Sequence, residues 1–285
     1  MTFIDWHSHI WLPEHLGNEW GPALDARYDP LKITELATPE LNRERLDADG
    51  VDHAVIIALT SRHFGMHIPN EFVAEYCATD PQRLIGVACV DPNDPEAVPK
   101  LRDAADMGLH GLKLAPPYQS FHPHSPEAWA IYETAAELGL FLIFHQGAVF
   151  ARRGPLEHAN PVLLDKVAAA FGDMPIVIAH MGQPWYAETV ALMSKHPNVY
   201  ADLSARFHRP WQLHNALLAA RDYRVDHKLL FGTDFPIAGP AQCADALRNI
   251  NTLTEDRLPP ISSEMIEGIL HGRPLSLLGI EPGAA

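Results

Sequence analysis

A chain of 285 residues, 47% hydrophobic and 20% charged, has enough apolar residues for a sizeable core and the length of one α/β barrel, which needs about 250 residues. No apolar run approaches the roughly 18 residues of a membrane span, and the opening MTFIDWHSHI sets Asp5 and His7 where a secretory leader would be apolar. A net charge of −15 without a dense Lys/Arg run argues against nucleic acid and anionic membranes, and three scattered cysteines, Cys77, Cys89 and Cys243, argue against a disulfide framework and for a reducing cytoplasm.

In chain order, apolar runs of strand length fall at 3–9, 53–59, 84–91, 111–116, 141–147, 175–182, 199–204 and 229–236. Near-continuous apolar runs suit parallel strands buried on both faces. Residues 10–38, rich in Pro, Trp and Gly, read as a long loop or cap over the barrel mouth. Ser125-Pro126-Glu127 offers an N-cap and a first-turn proline to a helix that runs to Leu138, with Gly139 as the residue that ends it. Asn160-Pro161 opens another helix that reaches about Phe171, Pro240 begins one after the eighth strand, and a last helix lies near 260–271. Strand and helix alternate without a linker or repeat, which predicts one domain over 1–285, a single (β/α)₈ barrel of the TIM type. An open dinucleotide-binding sheet would want GxGxxG after the first strand, where the chain reads HSHIWLPEHLG.

Barrels of this kind carry their chemistry at the C-terminal ends of the strands. The last inward positions are His7 and His9 on the first strand, Lys113 on the fourth, His145 on the fifth, His180 on the sixth and Asp234 on the eighth. Period two puts Asp5, His7 and His9 on one face, Phe141, Ile143 and His145 on another, and Leu230, Gly232 and Asp234 on a third. Imidazoles from two strands and a carboxylate from another can converge on a divalent ion with a position left for water. An isolated HxH is weak evidence, because strand-end histidines often only hydrogen-bond inside a core. Separate runs each ending in a ligand-type residue make the metal reading the better one.

IDWHSH, GLKLAPP, LIFHQG, IVIAHMGQPW, NVYADLS and LLFGTDFP, with the ending LLGI, resemble the amidohydrolase superfamily. The similarity is to the branch with aminocarboxymuconate-semialdehyde decarboxylase, resorcylate-type decarboxylases and pyrone-dicarboxylate lactonase, and it runs from residue 3 to about 236. The resemblance implies that His7, His9, His145 and Asp234 hold one ion, zinc or alternatively manganese. His180 is then the general acid/base beside the metal-activated water, and Asp234 shares in activating it. In hydrolytic relatives the residue matching His180 is instead a ligand. Lys113 has three readings: a carboxylated bridge between two ions, a partner of Asp5, or a free ammonium for a substrate carboxylate. The resemblance to a mononuclear branch favours the last.

Arg62, Arg152, Arg153 and Arg206 follow strands two, five and seven, and as a group they point to a carboxylate-bearing substrate, with Arg62 and Arg206 expected to bind it. Trp11, Trp185 and Phe207 are candidates for an apolar wall. The expected activity is metal-dependent hydrolysis of a small, carboxylate-bearing lactone, ester or amide; the alternative is metal-dependent, non-oxidative decarboxylation of a small aromatic or unsaturated acid at the same site, without an organic cofactor. A non-catalytic barrel is the third reading. The expected partner is a small-molecule substrate, not nucleic acid or a membrane, and a homo-oligomer is left open.

Overall fold

The computed structural model describes residues 2–253 and 258–280, so the ends of the expected 1–285 domain and residues 254–257 lie outside the described residues. In chain order the elements are β1 Ile4–Ser8, α1 Trp20–Arg27, α2 Pro39–Ala48, β2 His53–Ile57, β3 Thr60–Ser61, β4 Met66–His67, α3 Asn70–Ala78, β5 Leu84–Cys89, α4 Ala97–Asp106 and β6 Gly111–Leu114. There follow α5 Pro116–Gln119, α6 Pro126–Glu137, β7 Phe141–His145, α7 Asp165–Ala170, β8 Ile176–Ala179, α8 Tyr186–Lys195, β9 Val199–Asp202, α9 Pro210–Asp222, β10 Leu229–Leu230, α10 Pro240–Arg248 and α11 Ser263–His271. The eight expected strands are β1, β2, β5, β6, β7, β8, β9 and β10, parallel and hydrogen-bonded in that order. The ring closes where Trp6 donates to the Phe231 carbonyl at 2.9 Å, Asp234 to the His7 carbonyl at 2.8 Å and His9 to the Phe235 carbonyl at 3.0 Å. This is a (β/α)₈ barrel.

The strands separate two cores. Ile4, Trp6, Val55, Ile57, Val87, Phe141, Ile143 and Val177 fill the barrel, while Ala54, Ile56, Leu112, Leu142, Phe144 and Ile178 meet the helices outside. Alternation holds along β7, where Phe141 and Ile143 point in and Leu142 and Phe144 point out. It fails on β1. Asp5 pairs with the outward Ala54 and Ser8 with the outward Ile56, so three residues on β1 span two on β2. This bulge turns His7 inward and leaves Asp5 on the other side, against the shared face expected for Asp5, His7 and His9.

All eight strands are shorter than the expected runs, and after β8 and β10 the chain reaches a site residue held in a left-handed conformation. β8 stops at Ala179, and His180 takes φ +59°. β10 stops at Leu230, and Asp234 takes φ +62°. A left-handed backbone at a non-glycine residue costs about 1–2 kcal/mol, and such residues gather where function needs a side chain re-aimed. Gly232 lets the chain pass the first strand, because a Cβ there would lie 2.9 Å from the His7 Cβ.

The helix signals are realised. The Ser125 hydroxyl accepts from the Ala128 amide at 3.2 Å, and Gly139 ends the helix at φ +69°. The stretch after Asn160 is divided: a 3₁₀ turn over Pro161–Leu164 leads into α7. The last helix starts at Ser263, because Pro259 and Pro260 precede it and the Ser262 hydroxyl caps it. Residues 10–38 are more ordered than a loop. They hold α1 between 3₁₀ turns at Pro13–Leu16 and Ile33–Glu35, with Trp20 and Leu24 turned inward. The hairpin of β3 and β4 was not anticipated, since each strand is two residues long. No helix among the described residues is long and apolar enough to cross a membrane.

Candidate metal centre

His9, one residue beyond β1, donates from Nδ1 to the Ile57 carbonyl at 2.9 Å, which leaves the lone pair on Nε2. His7 sets Nδ1 against Asp202 Oδ2 at 2.8 Å, so its free lone pair is also on Nε2. Both free nitrogens face one carboxylate oxygen: Asp234 Oδ1 is 3.5 Å from His7 Nε2 and 3.4 Å from His9 Nε2. Asp202 accepts further from the amides of His180 and Ser204, each at 3.0 Å, and from the Ser204 hydroxyl. A carboxylate behind a ligating imidazole fixes its tautomer and raises its basicity.

His145 ends β7 with Nε2 on the Ala148 carbonyl at 3.3 Å. His180 places Nδ1 on the Ser204 carbonyl at 3.2 Å and hydroxyl at 2.8 Å. Because the Ser204 hydroxyl gives its proton to Asp202, His180 must donate from Nδ1. The bare nitrogens that remain, His145 Nδ1 and His180 Nε2, face each other at 3.1 Å. Two facing lone pairs repel unless a cation or proton lies with them.

These contacts test whether a metal fits. Ligands held at 2.0–2.2 Å around a tetrahedral ion are about 3.4 Å apart, which is the spacing found around Asp234. Protonation agrees. Burial pulls His7 below its ordinary value, with Lys113 adding to the effect, and burial holds His145 well below and His180 down to about 3. Against burial, the surrounding imidazoles of His9, His180 and His7 keep Asp234 well below the carboxylate range. Against burial too, the hydrogen bonds that His7 and Ser204 donate hold Asp202 below the carboxylate range. Neutral imidazoles and an ionised carboxylate are the forms that ligate metals. Among the described residues, the sets with all ligand atoms within 4.8 Å are His7, His9, Asp234 and His7, His180, Asp202. His145 belongs to neither and joins the centre through His180.

Lys113 is buried, with Nζ 3.4 Å from His7 Nε2, and burial pulls it down to about 8. It is not the partner of Asp5. Asp5 instead accepts from the Thr233 amide at 2.9 Å, the Thr233 hydroxyl at 2.7 Å and the His7 amide at 3.2 Å, and burial pushes it up to about 7.

Above the donors lies a cavity of about 60 Å³, walled by Trp11, Trp20, Leu24, Tyr118, Phe150 and Ile237. Of the expected aromatic wall only Trp11 is there; Phe207 packs on Phe231 at 5.7 Å and Trp185 precedes α8. The arginines divide. Arg62 is 58% exposed in its side chain, pairs with Asp94 at 3.3 Å and, like Arg206, is not in the cavity wall. Arg153 clasps Glu19 at 2.9 and 2.5 Å, and Arg152 is exposed. Arg206 is buried, and among the described residues it hydrogen-bonds the Ser204 carbonyl at 3.4 Å and has no partner for Nη1. Burial, then Arg209, pulls it down to about 10.

The sequence reading missed Asp202, Ser204, Trp20, Tyr118 and Phe150. Asp202 was within reach: it pairs with the inward Leu230 at the end of the seventh strand, the kind of position used to find the other candidates. The aromatics come from the cap and from the segments after the fourth and fifth strands, where no periodicity marks direction.

The family model described as "Amidohydrolase" matches residues 4–280. No curated protein matches the sequence. Among solved structures, an uncharacterised TIM-barrel protein from Bordetella bronchiseptica is 21% identical, with a TM-score of 0.75 over 95% of this chain and 96% of that one. A probable 2-pyrone-4,6-dicarboxylic acid hydrolase from Acinetobacter baumannii, with citric acid bound, is 20% identical, TM-score 0.65, over 98% and 100%. A dihydroxybenzoic acid decarboxylase from Polaromonas, with manganese and 2-nitroresorcinol, is 18% identical, TM-score 0.66, over 95% of both chains.

Proposed function

The chain belongs to the amidohydrolase family, and on that premise we propose that it is a metal-dependent hydrolase of a small, carboxylate-bearing lactone, ester or amide. The observation that carries the proposal is the convergence of His7 Nε2, His9 Nε2 and Asp234 Oδ1 at 3.4–3.5 Å beside the neutral His145 and His180. His7, His9, His145 and Asp234 would hold one ion, zinc or else manganese, which supplies Lewis acidity and lowers the pKa of a water toward about 7. His180, held by Ser204, takes and returns the proton at Nε2. Arg206 brings an unpaired guanidinium N–H for the substrate carboxylate, and Lys113 adds a second cation. Tyr118 and Phe150 cover the reacting bond.

A second reading, decarboxylation of a small aromatic or unsaturated acid, is favoured by the aromatic wall of the cavity, since apolar surroundings assist loss of CO₂ from a carboxylate. The readings separate in one assay. Metal-loaded enzyme is given a panel of lactones and hydroxybenzoates while acid release and CO₂ are recorded separately. Acid release without CO₂ is expected; CO₂ from the hydroxybenzoates alone would replace hydrolysis with the second reading.

A further inference from the structure

Trp20, the first residue of α1, is 6% exposed and stands in the wall of the cavity. Its Nε1 is buried without a hydrogen-bond partner, the only such polar atom among the described residues that line this cavity. Trp11, beside it, donates its own Nε1 to the Thr34 carbonyl at 3.0 Å, so the cap does pair an indole where the indole serves structure alone. Buried donors are rarely left without a partner, and the exceptions ask for one that arrives from outside. Trp20 is also firmly placed. It meets Trp11 edge-on at 6.3 Å and Phe150 at 5.6 Å, and the residue before it, Glu19, is clasped by Arg153 from the segment after β7.

We infer that the Trp20 indole N–H is the donor that the cap helix brings to the substrate. It pairs with an acceptor oxygen, a carbonyl or carboxylate, on the part of the molecule facing away from the metal donors. The inference rests on the cavity being the substrate site. It narrows the substrate class to small acids with a second acceptor oxygen, and it makes Trp20 a specificity-determining residue on an element that lies outside the barrel. A substrate with an apolar group at that point would leave the N–H buried and unpaired, and the cavity discriminates against it.

The test uses metal-loaded protein and isosteric probes: benzoates carrying an acetyl group, which has an acceptor oxygen, or an isopropenyl group, which has none. Binding is measured by calorimetry on wild type and Trp20→Phe, which keeps an aromatic ring and removes the N–H. The acetyl probe should bind Trp20→Phe about 10-fold more weakly than wild type, and the isopropenyl probe equally well. The ¹⁵N indole resonance of Trp20, identified by its loss in Trp20→Phe, should move downfield with the acetyl probe alone. Both probes weakened alike in Trp20→Phe means that the ring acts through packing and not through its N–H, and overturns the inference. No difference between the two proteins, or no binding of either probe, overturns it equally. Metal content and turnover on the same preparation keep the two readings apart: turnover without probe discrimination removes the donor, and discrimination without turnover removes the hydrolase.

Discussion

Four side chains of the centre are distinguished by what holds them, and they make three different predictions. His145 and Asp234 present donors directly, so His145→Asn and Asp234→Asn should lower metal occupancy. His180→Asn should keep its metal and lose about 10²–10⁴-fold in turnover, the range for general acid–base help. Metal loss in His180→Asn as large as in His145→Asn would make His180 a ligand. Asp202 acts through His7, at 2.8 Å, and Asp202→Asn should weaken metal binding about 10–100-fold with the fold intact, measured by competition with a chelator. The arginines give a second contrast. Arg206→Ala should raise KM for an acidic substrate by a factor equivalent to about 1.5–3 kcal/mol and spare a neutral analogue. Arg62→Ala, at an exposed pair with Asp94, should change neither. Equal effects of the two substitutions would remove Arg206 from substrate binding.

At the scale of elements, the site depends on where strands stop. β8 and β10 end one and four residues before His180 and Asp234, and left-handed residues turn both side chains toward the donors. Gly232→Ala would bring a Cβ to 2.9 Å from that of His7, so it should disturb the centre more than the fold. Metal affinity should fall while the melting temperature changes little. Ser125→Ala, which removes the cap of α6 far from the centre, should do the reverse: about 1 kcal/mol of stability lost with metal affinity unchanged. If both substitutions lowered stability alone, the close approach at Gly232 would have no bearing on the metal. The helix at Ser125 was legible because a capping hydroxyl, a first-turn proline and a terminal glycine are local signals. α1 was not, since WGPALDAR has Gly and Pro in its first turn and only Trp20 and Leu24 to mark an inner face.

At the scale of the molecule, the barrel interior packs Trp6, Phe141, Ile143, Val177 and their neighbours below the donors, independent of any ion. Chelation should therefore abolish activity and leave far-ultraviolet dichroism unchanged, with the melting temperature lowered only by the binding free energy of the metal. Unfolding on chelation would give the ion a structural role. The eight-strand alternation, the barrel and the candidates His7, His9, His145, His180 and Asp234 were legible in the chain, because period-two burial and strand-end position are local properties. Which of these donors meet was settled by contacts between distant segments. The bulge in β1 separated Asp5 from His7, Asp202 came to stand behind His7 from 195 residues away, and Arg206 was buried while Arg62 was left in solvent. Each of those outcomes depends on register, closure and the direction of a side chain after its strand has ended, which contacts between distant segments set and no local pattern encodes.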